Sequence, residues 1–244
     1  MNNTNTITKI GIIGRGNWGK KVIKVLKKNL TIEFITGKDI NYKKLSKKID
    51  WVFILTPNAT HYKLCKFFLE SKINVFCEKP LTTSLKQANY LYKLSKKNKV
   101  NLYVDDIEMF KNKKLNIKNL NWIIRTKKDS GSNYSLFERL CYHDLYIIYE
   151  YIKNKKIKKL SFVKSSDLIF KLHFEKISFN FFYSTKSKVK VHKINNNNFL
   201  KFNGNPLEKM ILNLMKKNNF SENHKRSLFA LKLMLKLKSS YKNK

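Results

Sequence analysis

Two hundred and forty-four residues, 42% apolar and 13% aromatic, are enough to bury a sizeable core, which excludes a disordered chain and a small disulfide-stapled scaffold. The net charge is +36, from 52 basic against 16 acidic residues, and such an excess raises nucleic acid and anionic membranes as partners. Only four of the bases are arginine (Arg15, Arg125, Arg139, Arg226), the residue that grips phosphate bidentately, and Lys, Asn, Ile, Phe and Tyr all have A/T-rich codons. The charge is therefore read as base composition expressed on solvated faces, with no specific nucleic-acid partner.

No apolar run approaches the ~20 residues of a membrane span, and the polar start Met1–Lys9 lacks the apolar core of a signal peptide. Cys65, Cys77 and Cys141 cannot all pair and lack zinc-site spacing. The expectation is a soluble, cytoplasmic chain without a membrane partner, held together by neither disulfides nor metal.

Short apolar runs alternate with amphipathic stretches over the first 110 residues, which predicts β-α units around a parallel sheet. Strands are predicted at Lys9–Gly14, Thr31–Thr36, Asp50–Thr56, Asn74–Lys79 and Asn101–Asp105, buried on both faces. Helices are predicted at Trp18–Lys28, with Val22, Val25 and Leu26 on one face, at His61–Ser71, and at Ser84–Lys97, with Ala88, Leu91 and Tyr92 on one face; a shorter piece lies near Lys43–Lys48. Such an order implies a doubly wound Rossmann sheet. A domain boundary is placed near residue 110, giving a dinucleotide-binding domain over 1–110 and a shortened α/β domain over 111–244.

In the second domain a strand at Asn121–Thr126 precedes a continuous helix over Ser135–Lys153, with Leu136, Leu140, His143, Ile147 and Tyr151 in one stripe. Period-two alternation follows at Leu168, Phe170, Leu172 and Phe174, and again at Ile177, Phe179, Phe181 and Tyr183; Val189 and Val191 continue a meander. His173 and His192 are read as solvent-facing or sheet-packing. After a turn at Asn195–Asn198, helices are predicted at Pro206–Lys217 and Lys225–Lys238, giving a smaller domain with an open, mostly antiparallel sheet.

Gly14-Arg15-Gly16-Asn17-Trp18-Gly19 follows a predicted strand and opens a predicted helix, the context that makes a G-x-G-x-x-G run a dinucleotide fingerprint. The first glycine permits the turn, the second lets the backbone approach a pyrophosphate, and the third lets helix pack on sheet. No acid stands at the end of the second strand, where Thr36-Gly37-Lys38 occurs instead. Lys38 with Arg15 suits a ribose 2′-phosphate, whereas Asp39 serves the 2′-hydroxyl if the strand ends a residue or two later, so NAD(P) is expected with a lean to NADP.

The run Trp51-Val52-Phe53-Ile54-Leu55-Thr56-Pro57-Asn58-Ala59-Thr60-His61, followed by Val75-Phe76-Cys77-Glu78-Lys79-Pro80-Leu81, resembles the Gfo/Idh/MocA oxidoreductases, named for glucose-fructose oxidoreductase and inositol dehydrogenase. Pro206–Leu214 and Ser227–Tyr241 are similar to that family's closing helices, so the resemblance covers nearly the whole chain. It implies hydride transfer between a nicotinamide and a carbon of a sugar, cyclitol or sugar nucleotide. Lys79 would sit by the reacting carbon, Glu78 near the nicotinamide ribose, and Thr56, Pro57, Asn58 and His61 along the cofactor. A cis peptide is implied before Pro80. His143, followed by Asp144, matches the family's proton-handling histidine; Arg139 stands where the resemblance places an acid, and Cys141 where it places a glycine. Lys79, His143 and Asp144 would thus contact substrate, with Lys79 and His143 catalytic. Association into a dimer or tetramer through the open sheet is also implied. A catalytically decayed dinucleotide-binding relative and a basic nucleic-acid-binding protein remain the alternatives.

Overall fold

The strands β1 (Lys9–Ile13), β2 (Thr31–Thr36), β3 (Trp51–Ile54), β4 (Asn74–Cys77) and β5 (Leu102–Val104) pair in parallel in the order β2-β1-β3-β4-β5. The computed structural model describes residues 8–37, 49–111, 114–129, 131, 134–217 and 219–242. Two units are distinguished: Met1–Asp106 with Leu207–Leu228, and Ile107–Pro206 with Phe229–Lys244.

In the first unit β3, β4 and β5 are almost wholly buried, as their continuous apolar runs require. Strand β2 departs from the expectation of two buried faces, because it lies at the sheet edge and leaves Ile35 exposed. Helices α1 (Asn17–Asn29), α2 (Asn58–Glu70) and α3 (Leu85–Lys97) follow β1, β3 and β4. Val22 and Leu26 of α1 are fully buried, each contributing roughly 1.5–3 kcal/mol. Ser84 caps α3 by accepting from the Gln87 N–H. The expected helical piece at Lys43–Lys48 lies outside the described residues.

The C-terminal helices are α6 (Pro206–Lys216) and α7 (Ser221–Lys242). Residues 207–228, expected with the second domain, pack with the first sheet. Asn223 explains why: its Nδ2 donates to the Val104 carbonyl and its Oδ1 accepts from the Val104 N–H, so this side chain satisfies the free edge of β5 as a further strand would. Phe220 meets Trp51 and Tyr103 edge-on beside it.

In the second unit β6 (Leu120–Lys128), β7 (Lys159–Val163), β8 (Leu168–His173), β9 (Ser178–Ser184), β10 (Lys186–Ile194) and β11 (Asn197–Asn198) form a sheet in the order β11-β10-β6-β9-β8-β7. The expected meander is interrupted, because β6 stands between β9 and β10, parallel to the first and antiparallel to the second. Its register sets Ile123 beside Phe181 and Ile194, all buried, which gives a strand with an alternating apolar row a central place. Phe170 stacks on Phe181 with centroids 4.3 Å apart on the same face. Trp122, on the opposite face of β6, is exposed.

The long helix expected over 135–153 is broken. A π-helical turn, Phe137–Cys141, leads into α4 (Tyr142–Ile147), and a turn at Ile148 separates α5 (Tyr149–Ile152). Ser135 and Glu138 close the entry: the Ser135 N–H and hydroxyl both donate to Glu138 Oε2, while Lys238 donates to Oε1. Between β5 and β6 stands one 3₁₀ turn, Ile107–Lys111.

Candidate active site

The strand order reverses at β1: the chain leaves β1 for β2 on one side and returns to β3 on the other, which opens a crevice at the carboxyl ends of β1 and β3. The glycine loop fills one wall of that crevice. Gly14 has φ +106°, and a Cβ there would lie 2.6 Å from the Leu55 carbonyl group. A Cβ at Gly19 would lie 2.5 Å from the Gly14 oxygen, so the first and third glycines are demanded by packing. Gly16 is different. It has φ −65°, precedes the first turn of α1, and a Cβ built on it meets nothing within 4 Å. The space beside Gly16 at the head of α1 is thus open, and the first turn of α1 carries no acid. A dinucleotide pyrophosphate fits this cradle in shape and charge. Arg15 and Asn17 are exposed at its rim; Lys38 lies outside the described residues.

The glycines separate into two experiments. Gly14→Ala is expected to lower stability by about 2–4 kcal/mol, through backbone strain and overpacking, read as a fall in the urea midpoint. Gly16→Ala is expected to leave that midpoint within about 1 kcal/mol and to weaken nicotinamide dinucleotide binding at least about tenfold, read by fluorescence titration.

The ends of β3 and β4 form the other wall. Thr56 is buried and its hydroxyl contacts that of Thr60 at 2.6 Å, Pro57 is exposed, and Asn58 opens α2 half-buried. His61, expected along the cofactor, is fully buried: Nδ1 lies 2.9 Å from the Pro80 carbonyl and Nε2 2.8 Å from the Thr56 carbonyl. The ring ties the two loops together through both of its nitrogens. Pro80 follows a cis peptide from Lys79. Lys79 is half-buried, and its N–H donates to Glu78 Oε2 at 2.8 Å. Burial pushes the Glu78 carboxyl above its usual range, opposed by the Lys79 ammonium and by bonds from Lys79 N–H and Asp105. Asp105 also accepts from Trp18 Nε1 at 3.1 Å, linking the first turn of α1 to the end of β5. Sequence reasoning missed this aspartate, although its place at the carboxyl end of a predicted parallel strand is a signal.

Both carbonyls facing His61 only accept, so a neutral ring, with one N–H, satisfies one of them. Burial pushes the His61 pKa below 6.5, against the pull of the two carbonyls, with Lys79 adding to the lowering. The folded ring then binds its proton less readily than the unfolded one, so stability is whole above about pH 6.5 and declines as pH falls below it towards the folded value. The urea midpoint is expected to fall between about pH 7.5 and pH 5, and to fall less in His61→Gln.

In the second unit the strand register assembles a buried charge network. Arg125 of β6 pairs with His192 on β10 and Tyr183 on β9, so the three side chains share the helix-covered face. Asp144 of α4, fully buried, contacts His192 Nε2 at 2.7 Å and Arg125 Nη1 at 3.6 Å. Arg125 Nη2 donates to Glu108 at 3.0 Å, and Lys111 pairs with Glu108 at 2.7 Å. Burial favours the neutral acid, but Arg125, His192 and Lys111 outweigh it and hold the Glu108 carboxyl at about 2. Asp144, expected as a substrate contact, is fully buried in this network and anchors α4 to the sheet. His192 is a member of this network, not a solvent-facing residue. His143, the residue before Asp144, is half-buried and lines a cavity of about 190 Å³.

Residues 28–106 match the family described as "Oxidoreductase family, NAD-binding Rossmann fold". Over 58 residues the chain is 40% identical to the uncharacterized oxidoreductase YgjR of Escherichia coli (strain K12), a stretch covering 24% of this chain and 18% of that protein. Over 75 residues it is 36% identical to the uncharacterized oxidoreductase YrbE of Bacillus subtilis (strain 168), covering 30% of this chain and 21% of that one. The matched stretches thus span about a fifth of these curated relatives. Among solved structures, UDP-N-acetylglucosamine 3-dehydrogenase GnnA from Acidithiobacillus ferrooxidans is similar with a TM-score of 0.83 at 12% identity, covering 95% of this chain and 96% of that chain. A myo-inositol dehydrogenase from Corynebacterium glutamicum ATCC 13032 is similar with a TM-score of 0.74 at 14% identity, covering 96% of each. At these identities the likeness is one of fold.

Proposed function

Because residues 28–106 match the Gfo/Idh/MocA oxidoreductase family with its NAD-binding Rossmann fold, we propose that the chain is a nicotinamide-dependent dehydrogenase or reductase acting on a sugar, cyclitol or sugar nucleotide. The observation that carries this reading is the open space over Gly16 at the head of α1, between two glycines that packing demands. The names of the similar structures, a UDP-N-acetylglucosamine dehydrogenase and a myo-inositol dehydrogenase, support the substrate class. When bound, the nicotinamide supplies or accepts the hydride. Lys79 donates a hydrogen bond to the substrate oxygen and stabilises the negative charge that develops there. His143 takes the hydroxyl proton or returns it. Glu78 binds the nicotinamide ribose, and Thr56, Pro57 and Asn58 line the dinucleotide. Arg15 and Lys38, with Thr36 and Gly37 where β2 ends, favour the 2′-phosphorylated form. Trp122 and Leu120, exposed on the open sheet face, support self-association into a dimer or tetramer.

Tryptophan fluorescence during titration with NADH and NADPH tests the first part, since Trp18 lies in the glycine loop. Quenching is expected with both and tighter with NADPH; no quenching by either overturns the reading. Nicotinamide reduction across a panel of sugars, cyclitols and sugar nucleotides tests the second. Binding without turnover, unaltered in Lys79→Met, identifies a decayed relative instead.

A further inference from the structure

The cavity that His143 lines has a wall of unusual charge: Lys111, Arg125, Lys127, Arg139 and Lys190 face it against the single carboxylate Glu108. Its layout follows from strand geometry. Arg125 and Lys127 are two apart on β6, and His192 and Lys190 two apart on the antiparallel partner β10, so both rows point to one face and run out together towards the strand ends. A register shift in β10 between Lys186 and Val191 lies beside Lys190, the kind of irregularity that re-aims a side chain. From the helical side, Arg139 and His143 stand four residues apart and reach the same space.

Lysine drift over the surface does not account for this wall. In a chain whose 52 bases include four arginines, two of the four stand here. Arg139 Nη2 is held by Asp129 at 2.8 Å, which fixes the direction of its fork. Arg125 Nη1 is buried and, 3.6 Å from Asp144, makes no hydrogen bond among the described residues. Glu108, Asp144 and Asp129 meet Lys111, Arg125 and Arg139, so the wall keeps a positive excess that an entering anion offsets, and a low-dielectric wall strengthens the field within it.

We propose that this cavity seats a phosphate or diphosphate group of the substrate, which makes the substrate class a phosphorylated or nucleoside diphosphate-linked sugar. The inference rests on the dehydrogenase reading for the word substrate, but the anion site itself does not. Phosphate oxygens would accept from the Arg139 fork and the ammonium groups of Lys127 and Lys190, with the sugar carried next to His143.

Inorganic pyrophosphate is the probe, titrated calorimetrically into the full chain at physiological salt. The titration compares the unaltered protein, Lys127→Gln/Lys190→Gln, and a control of equal charge change, Lys232→Gln/Lys236→Gln on the exposed side of α7. All three share the glycine-loop cradle, so a difference among them reads the cavity. Saturable binding is expected, at least about tenfold weaker in the cavity pair and within about twofold of the unaltered protein in the control. Arg139→Lys, which keeps the charge and loses the fork, is expected to weaken it about threefold or more. Equal weakening in cavity and control pairs, or no saturable binding, overturns the proposal. Competition by a hexose phosphate or by a uridine diphosphate sugar then identifies which ester is carried; competition by neither overturns the substrate class. Failure of NADH and NADPH to bind, with the cavity effect intact, would fault the dehydrogenase reading and leave the anion site standing.

Discussion

Lys79→Met is expected to lower kcat by about 10²–10⁴-fold while the Kd for the nicotinamide dinucleotide changes less than about threefold. Methionine keeps most of the length and apolar stem of lysine, so the half-buried site stays filled and only the ammonium is lost. The backbone around it is fixed from both sides. Glu78 accepts from the Lys79 N–H, and the carbonyl of the following Pro80 faces His61. A side chain so placed loses little freedom when it meets a developing alkoxide, and that is the condition for a large transition-state effect. Lys79→Arg is expected to recover little, since a planar fork on a longer stem does not put a charge at the ammonium position. Steady-state kinetics with separate kcat and KM values, beside a fluorescence titration of the dinucleotide, checks all three statements. A kcat within threefold of the unaltered enzyme removes Lys79 from the reaction.

Asp144→Ala is expected to destabilise the second unit by about 3–5 kcal/mol, because the Arg125 guanidinium and His192 are then left buried beside a missing carboxylate. Glu108→Ala falls in the same range for the same reason, and the double variant is expected to cost much less than the sum, since both act on Arg125. The network also sets an acid limit. Glu108 has a folded pKa of about 2 against an ordinary 4.5, so its contribution is full above about pH 4.5 and is lost as pH falls through about 2. That loss is of the order of 3 kcal/mol. Urea unfolding followed across this range, in the unaltered protein and in Glu108→Gln, gives the measurement. A pH profile identical in the two removes Glu108 from the acid transition.

Features that depend on neighbours in the chain were legible before the fold. The strand, the three glycines and the helix that follows run without a break from Lys9 to Asn29, and each glycine answers a local demand of turn, approach or packing. Glu78-Lys79-Pro80 at a strand end is legible for the same reason. Partners brought together by register were not. Arg125, Asp144, His192 and Glu108 lie 17 to 67 residues apart in the chain, counting from Arg125, and hydrophobic periodicity reports which face a residue occupies without saying what stands across from it. His192 therefore read as a residue of a sheet face, and Asp144 as a substrate ligand. The break in the 135–153 helix was hidden because Leu140, His143 and Ile147 keep helical spacing through the π-helical turn. Residues 207–228 look like any amphipathic end, and only the bonds between Asn223 and Val104 reveal which sheet they complete.

The tie made by His61 has a further consequence for how a dinucleotide arrives. Thr56 and Pro80 belong to two loops that the imidazole braces against each other before any ligand arrives. Much of the entropic cost of binding is thereby met during folding. Association should follow a single exponential phase whose rate rises linearly with dinucleotide concentration, with a heat-capacity change no larger than the contact surface accounts for. A variant without the brace, such as His61→Leu, should acquire a slower, concentration-independent phase as loop closure becomes a separate step.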